Sequence, residues 1–191
     1  MKNFQITDKE TGKVYWISRA MAVAGVIYAK DSSGNLHFLV EKRGPGCPDY
    51  VGYNALCCGY LDWDESLEEA MIREAWEEMG LKIDPTRDSI VPFFIQDNPK
   101  DNSKQNVTVR FMIEVPYNYI VEGLKNGSIN GDTKSRGGEE GEIEEINLIS
   151  LDDLKRHKWA WNHDEVIRFV SDILNDKGSE KVWKLKKKRG N

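Results

Sequence analysis

The sequence predicts an α+β layer sandwich, and three observations lead to this fold class. Apolar stretches of strand length dominate the first half of the chain, and helical patterns dominate its end. The 191 residues suffice for one domain with a buried core. Apolar residues make up 39% of the chain and charged residues 31%, a composition typical of globular proteins.

Strands are predicted where apolar residues run between turn residues. The segment 20–30 has the nearly continuous apolar character of a buried strand, and it leads through the turn cluster 31–35 into a second strand at 36–42. The remaining predicted strands lie at 14–18, 53–60, 91–96, 106–115 and 143–149. The stretch 116–141 is rich in Gly, Asn and Ser, so we expect an irregular and partly mobile connection there.

Three helices are predicted. The first begins at Ser66, because Ser66 and Glu69 have the spacing of a capping box, and it ends before Gly80. A short helix is expected at 151–157. The segment 162–175 has apolar residues along one arc, which is typical of an amphipathic helix.

Three acidic side chains share one face of the first predicted helix. Glu74, Glu77 and Glu78 fall within about 100° of one another around the helix axis. Like charges at this spacing destabilise a helix unless a cation joins them, and clustered carboxylates suit Mg2+ or Mn2+ better than zinc. Taken alone, the cluster is equally compatible with a solvated acidic face.

The spacing around these acids separates the two interpretations. The segment 59–81 fits the pattern G x5 E x7 R E U x E E x G U at every fixed position, where U is an apolar residue. It therefore resembles the Nudix box. The order of strands resembles the Nudix α/β/α sandwich, with a mixed central sheet and the Nudix helix at about 66–79. We accordingly expect one Nudix hydrolase domain at 1–180 and a basic tail at 181–191.

The resemblance implies an enzyme that hydrolyses a phosphoanhydride bond with the help of Mg2+ or Mn2+. The expected substrate is a nucleoside diphosphate linked to another moiety: ADP-ribose, a nucleotide sugar, a dinucleotide or a nucleoside triphosphate. The implied metal ligands are Gly59, through its carbonyl oxygen, Glu74, Glu77 and Glu78. Arg73 is expected to orient a carboxylate, because Glu69 and Glu77 lie one turn away on either side.

A second acidic segment, 137–145, precedes the last predicted strand. Nudix enzymes place the general base either in the box, here at Glu74 or Glu77, or on such a later loop. Glu142 is the first candidate on that loop for a base or a further metal ligand, and Glu140 is the second. A solvated acidic loop is an equal alternative for either residue.

Two arginines are candidates for binding the substrate. Arg43 matches a position where many Nudix enzymes place a phosphate-binding arginine, although a solvated cation at a strand end explains it equally well. Arg110 lies in an apolar strand, and an inward-facing arginine needs an anionic partner. Aromatic residues that could stack on a base are Tyr53, Trp63, Phe111 and Tyr117.

Charge and cysteine content limit the classes of partner and the cellular compartment that the sequence predicts. The net charge is -5 although 181–191 holds six basic residues and no acidic one, so the body is acidic and nucleic acid is an unfavourable partner. The longest apolar run is too short to cross a membrane. Three cysteines, with Cys57 and Cys58 adjacent, indicate reduced thiols in a cytoplasmic protein. The expected partner is a small-molecule nucleotide, and a homodimer is left open.

One alternative belongs to a different functional class. A Nudix-like module without activity could bind a nucleotide and regulate transcription or another partner. Such modules usually have degraded boxes, whereas this box keeps all of its carboxylates. The sequence therefore favours the hydrolase.

Overall fold

A seven-stranded mixed sheet forms the centre of the fold in the computed structural model, which describes residues 2–100 and 105–175. The strands are β1 (Phe4–Thr7), β2 (Val14–Ile17), β3 (Met21–Lys30), β4 (Leu36–Arg43), β5 (Asn54–Ala55), β6 (Cys57–Tyr60), β7 (Ser89–Gln96), β8 (Val107–Glu114) and β9 (Ile143–Ser150). The helices are α1 (Leu67–Met79), α2 (Tyr117–Asn126) and α3 (His163–Leu174). Within these residues, strands β1 and β2 pair only with each other. The predicted basic tail lies outside the described residues.

Strand β3 organises the sheet. It pairs in parallel with β8, while β7 extends the sheet beyond β8 in the antiparallel sense. On its other side, the second half of β3 pairs with β4 and the first half pairs with β6. Strands β3 and β4 therefore diverge, and β5 and β6 fill the space between them. Strand β9 pairs with the opposite edge of β4.

Alternating side chains of the strands form two cores. Val23, Ile27 and Leu39 point to one face, where they pack with α1 and with Ile120 of α2. Val26, Phe38 and other residues of the opposite parity point to the second face and pack with α3. A buried layer on each face is the arrangement expected for a sheet between helices.

The ends of α1 have the predicted signals. The backbone N–H of Glu69 donates to the Ser66 hydroxyl at 3.2 Å, and the Ser66 N–H donates to the Glu69 carboxylate at 2.7 Å. Gly80 ends the helix in the left-handed conformation with φ of 68°, which costs glycine little. These ends fix the rotation of α1 and so the direction of its acidic face.

Several elements differ from the sequence-based predictions. The expected irregular connection contains α2, whose start at Pro116 carries no side-chain cap. Its interior Gly123 and terminal Asn126 weaken the helical signal in the sequence, and packing of Ile120 in the core compensates for them. The predicted helix at 151–157 is a 3₁₀ turn at Asp152–Arg156. The predicted strand 53–60 is divided into β5 and β6 because it pairs with two different strands.

Candidate active site

Helix α1 lies directly against β6, and a glycine makes this close approach feasible. A methyl group at position 59 would overlap the carboxylate of Glu74. Gly59 is therefore required where the strand faces the helix. Its place at the end of β6 brings the backbone of this strand beside the acidic face of α1.

Arg73 lies at the edge of the acidic cluster and forms hydrogen bonds to several of its members. Its guanidinium makes two hydrogen bonds to Glu65, at 2.7 and 3.0 Å, and donates to the Tyr60 carbonyl oxygen at 2.9 Å. The remaining terminal nitrogen donates to Glu74 at 2.8 Å and to Glu77 at 3.1 Å. Arg73 thus contacts the carboxylates of Glu65, Glu74 and Glu77, whereas Glu69, which was expected from the spacing, instead accepts the Ser66 N–H at the start of α1.

Glu74 and Glu78 are both buried, so their charges are poorly solvated. Burial raises the pKa of Glu74 to about 7, although Arg73 opposes the shift. Burial and the nearby carboxylates of Glu41 and Glu74 raise the pKa of Glu78. Glu78 also accepts a hydrogen bond of 2.9 Å from the backbone N–H of Cys58. The two side chains form an electronegative centre between α1 and β6.

The acidic loop before β9 reaches this centre through Glu142. The carbonyl oxygen of Glu142 accepts hydrogen bonds from the Gly44 N–H at 2.6 Å and from the Cys47 thiol at 3.1 Å. Its half-buried carboxyl has a raised pKa because of burial and the neighbouring Glu139. Glu140 instead is exposed and forms an ion pair of 2.6 Å with Lys134. The loop therefore brings Glu142, and not Glu140, to the cluster.

One residue of the cluster, Glu41 on β4, was not predicted from the sequence. Its side chain is completely buried, and neither carboxylate oxygen has a hydrogen-bond donor among the described residues. Burial raises the pKa of Glu41, and the carboxylates of Glu142 and Glu74 add to the rise. A signal existed in the sequence, because strand alternation places residue 41 on the same face as the core residue Leu39.

Arg43 lies at the end of β4 among aromatic rings. Its guanidinium donates to the carbonyl oxygen of Asp49 at 3.1 Å and to the Asp49 carboxylate at 3.0 Å. The same group lies over the Trp161 ring, 4.6 Å from its centroid. Tyr50 packs edge-on against Trp161 at 5.1 Å and against Tyr53 at 5.6 Å. Arg43 lowers the pKa of Glu142, so it is within electrostatic reach of the acidic cluster.

Arg110 lies on the other face of the sheet. Strand register places it beside Ala24 of β3, on the α3 side, and its side chain is 6% exposed. One terminal nitrogen donates to Gln96 at 2.7 Å, whereas the other is buried without a partner among the described residues. Burial lowers the pKa of Arg110 to about 10. The structure thus brings Arg43 towards the acidic cluster but keeps Arg110 on the opposite side.

The four aromatic residues considered from the sequence have different environments. Phe111 is buried in the α1-side core, and the Trp63 side chain is 82% exposed. Tyr117 packs on His37 at 5.0 Å, away from Arg43. Only Tyr53 belongs to the aromatic group beside Arg43, so the sequence missed Tyr50 and Trp161.

The donors of the cluster fit a hard divalent cation by their chemistry. Over residues 2–100 and 105–175, no three His, Cys, Asp or Glu side chains already converge as a metal-coordinating group. Arg73 binds Glu74 and Glu77, and the Cys58 N–H binds Glu78. Two orphaned oxygens of Glu41 nevertheless face this carboxylate cluster. Such oxygen donors without a proton donor are those that Mg2+ or Mn2+ prefers.

Comparison with known proteins identifies the family. The model of the NUDIX domain matches residues 18–170. The chain belongs to the Nudix family. The Nudix box, 59–81, therefore supplies α1 and its acidic face. No curated protein matched the chain in the sequence search.

Solved Nudix structures have the same fold. A MutT/Nudix family protein from Listeria innocua is 21% identical, covers 83% of this chain and 95% of that chain, and gives a TM-score of 0.60. The NUDIX domain of Shewanella oneidensis NrtR, complexed with ADP ribose, is 15% identical over 83% of this chain and 90% of that chain, with a TM-score of 0.58. Shewanella oneidensis NrtR complexed with a 27mer DNA is 20% identical, covers 82% of this chain and 63% of that chain, and gives a TM-score of 0.59. The α+β sandwich with a mixed central sheet is confirmed.

Two further observations concern partners and thiols. Within the described residues, no helix of this Nudix protein has the length and apolar character that crossing a bilayer requires. Cys47, Cys57 and Cys58 are free thiols. Burial raises the pKa of Cys57 and of Cys58, so these thiols are poor nucleophiles.

Proposed function

We propose that this Nudix protein hydrolyses a phosphoanhydride bond in a nucleoside diphosphate linked to another moiety. The observation that carries the proposal is the pair of buried carboxylates, Glu74 and Glu78, on a helix with a complete Nudix box. Two buried like charges are unfavourable unless a cation joins them. An anionic diphosphate needs the same cation to approach an acidic site. The cluster and the substrate class therefore require the same counter-ion.

The proposed counter-ion is Mg2+ or Mn2+. The residues that would hold it are Gly59, through its carbonyl oxygen, Glu74, Glu77 and Glu78. When bound, the ion would offset the charge of the diphosphate and lower the pKa of the attacking water. Arg73 would keep Glu74 and Glu77 oriented, because it already hydrogen-bonds both carboxylates.

The attacking water needs a base, and Glu142 is the residue that we propose for it. Its carboxyl is half-buried and close to the acidic cluster, and its raised pKa lies nearer to neutral pH than that of a solvated glutamate. A base with such a pKa accepts a proton more effectively. A base within the box, at Glu74 or Glu77, is the alternative, and so is a role of Glu142 as a further metal ligand.

Recognition of the substrate is proposed at the end of β4. Arg43 offers a cation for a phosphate group, within electrostatic reach of Glu142. The rings of Tyr50, Tyr53 and Trp161 surround it and could stack on the moiety attached to the diphosphate. Arg110, whose second terminal nitrogen has no partner among the described residues, is proposed as a further contact for an anion, but from the opposite face of the sheet.

A substrate panel tests the proposal. ADP-ribose, nucleotide sugars, dinucleotide coenzymes, dinucleoside polyphosphates and nucleoside triphosphates are incubated with the protein and Mg2+, and the released phosphate products are separated. We expect at least one compound to be cleaved at its phosphoanhydride bond and EDTA to stop the reaction. Failure to cleave any of them, with either Mg2+ or Mn2+, would contradict the proposal.

A regulatory nucleotide-binding module is the second candidate. It is favoured by the likeness to NrtR, which was solved with ADP ribose and with a 27mer DNA. Because this structural relative binds DNA, the acidic net charge of the present chain is not sufficient to exclude nucleic acid as a partner. Saturable binding of ADP-ribose without hydrolysis, accompanied by a change in affinity for a duplex DNA, would favour this candidate over the enzyme.

A further inference from the structure

Glu41 is the most completely buried carboxylate among the residues that the structure describes beside the acidic cluster. It is 0% exposed, and both of its carboxylate oxygens lack a hydrogen-bond donor within this part of the chain. An ionised carboxylate that is buried without a hydrogen-bond donor is strongly destabilised relative to a solvated one. Either a proton or a bound cation would remove this destabilisation.

The position of Glu41 follows from the topology of the sheet. Strands β3 and β4 diverge, and Glu41 pairs with Ala55 of β5 on one side and with Ile146 of β9 on the other. Strand alternation turns its side chain to the α1 face, where it meets the carboxyl of Glu78. Glu41 therefore approaches the acidic cluster from the sheet, whereas the Nudix-box acids approach it from the helix.

The charged groups around Glu41 do not neutralise it. Glu78 and Glu74 face it from α1, and Glu142 faces it from the loop before β9. The cation that acts on Glu41 is Arg43. The guanidinium of Arg43 is already hydrogen-bonded to Asp49 and stacked on Trp161. Three carboxylates therefore face Glu41, together with one guanidinium that already binds other groups.

Glu41 also differs from the acids of the Nudix box in the hydrogen bonds that a bound cation would displace. Glu74 and Glu77 each hold a hydrogen bond from Arg73, and Glu78 holds one from the Cys58 N–H. Glu41 receives none from a backbone N–H or an arginine of the described residues, and the group against its oxygens is the carboxyl of Glu78. A hard cation in this cluster would gain the oxygens of Glu41 without displacing a backbone or arginine donor from them.

We propose that Glu41 is a further carboxylate for the divalent cation, so that the metal centre is shared between β4 and the Nudix helix. This inference rests on the proposed function, because it assumes that the acidic cluster binds such a cation. It extends the site beyond the residues of the box and assigns a use to the orphaned oxygens on β4.

The test measures Mn2+ binding directly, by electron paramagnetic resonance of free Mn2+, with parent protein and Glu41→Gln. Glutamine keeps the volume of the side chain and removes its charge. We expect the Kd for Mn2+ to rise at least about tenfold, since supporting residues of a metal site typically contribute 10–100-fold. The EDTA-treated variant should melt at or above the temperature of the parent, because a buried negative charge is removed. Glu41→Met serves as a second variant if the glutamine variant fails to fold.

Matched variants separate the possible failures. Glu144→Gln makes the same charge change on the exposed surface and should leave the Kd for Mn2+ unchanged. If Glu78→Gln loses Mn2+ affinity but Glu41→Gln does not, the role of Glu41 is overturned and the proposed function stands. If neither variant changes Mn2+ affinity, both fail. A Glu41→Gln protein that melts lower than the parent but binds Mn2+ normally would show a structural role and overturn the inference.

Discussion

The two faces of the central sheet bury opposite charges. On the α1 face, the carboxylates of Glu41, Glu74 and Glu78 lie close together. On the α3 face, the guanidinium of Arg110 and the imidazole of His163 are buried. Burial and the cations Arg110 and Arg43 lower the pKa of His163 well below its ordinary value. The same sheet therefore separates an electronegative core from an electropositive one.

The two faces manage buried charge in different ways. His163 is kept neutral, and its Nδ1 accepts a hydrogen bond of 3.0 Å from the Leu56 N–H. Arg110 donates to Gln96. The acidic face has the guanidinium of Arg73 at its rim and Arg43 within electrostatic reach, and no backbone or arginine group of the described residues donates to Glu41. The α3 face thus leaves one terminal nitrogen of Arg110 unpartnered among the described residues, whereas the α1 face gathers several buried carboxylates, which is the arrangement that the proposed cation would relieve.

The largest expected effect comes from removing one acid of the α1 face. Glu78→Gln should reduce turnover of the panel substrate by roughly 100-fold or more, because a proposed metal ligand is lost. The metal-free variant should be no less stable than the parent, since repulsion is relieved. Saturation with Mg2+ at 100 times its Kd should stabilise the parent by about 2.7 kcal/mol, and the variant by less.

Steady-state kinetics and thermal melts with Mg2+ or EDTA measure this prediction. Glu145→Gln, which changes an exposed acid on β9, is the control. Turnover unchanged by Glu78→Gln, or an equal rise in melting temperature with Mg2+ for variant and parent, would mean that the ion binds elsewhere.

The second prediction concerns the buried cation of the α3 face. Replacing a buried charge with an apolar side chain of similar volume is often neutral or stabilises a protein by about 1–4 kcal/mol. Arg110→Met should therefore melt at or above the temperature of the parent. If Arg110 contacts an anionic substrate, KM should rise about tenfold, the effect of losing about 1.4 kcal/mol of binding. Arg156→Met, at a mostly exposed arginine, is the control, and an unchanged KM for Arg110→Met would remove Arg110 from substrate binding.

The third prediction is that the two faces respond to pH in opposite directions in EDTA-treated protein. The pKa of His163 is lowered in the folded state, so the unfolded chain binds the proton first and stability falls as pH drops below about 6.5. The pKa of Glu74 is raised from 4.5 to about 7, so its contribution is lost as pH rises from 4.5 through 7. Each group changes the free energy of unfolding by up to about 1.4 kcal/mol per pH unit.

Urea unfolding across this pH range separates the two slopes. The two slopes overlap and oppose each other between pH 4.5 and 6.5, so removing one should expose the other. His163→Asn should make stability fall more steeply as pH rises through this range, because asparagine can accept the Leu56 N–H without titrating. Glu74→Gln should instead make stability rise more steeply with pH. His157→Asn and Glu145→Gln are the controls and should leave both slopes in place. Identical slopes in His163→Asn and the parent would contradict burial of a neutral imidazole.

The smallest expected effect concerns the N-terminal ends of α1 and α3, the helices that pack on the two faces of the sheet. The side chain of Ser66 caps α1, so Ser66→Ala should cost about 1 kcal/mol of unfolding free energy. Asn162 precedes α3 with φ of 63° and makes no side-chain cap, so Asn162→Gly should be nearly neutral. Urea unfolding measures both. Neither substitution should alter the stabilisation by Mg2+, and a loss of that stabilisation in Ser66→Ala would tie metal binding to the helix end.

Much of the site could be predicted because it is local in sequence. The capping box, the left-handed Gly80 and the acidic face of α1 all follow from the 3.6-residue repeat over one continuous segment. Glu41 could not be connected to that face, because the contact depends on how β3 and β4 diverge around β5 and β6. Helix α2 was missed for a related reason, since core packing of Ile120 compensates for its weak helical sequence.

The sequence by itself determined the family, the layer architecture and the acidic helix, since the box encodes side-chain identity and helical spacing in one short stretch. Only the tertiary structure decided which charges share a face: Glu41 and Glu142 join Glu74 and Glu78, whereas Arg110 lies across the sheet. The physical reason is that strand alternation gives each side chain one of two faces, while strand pairing between distant segments determines which side chains meet on that face.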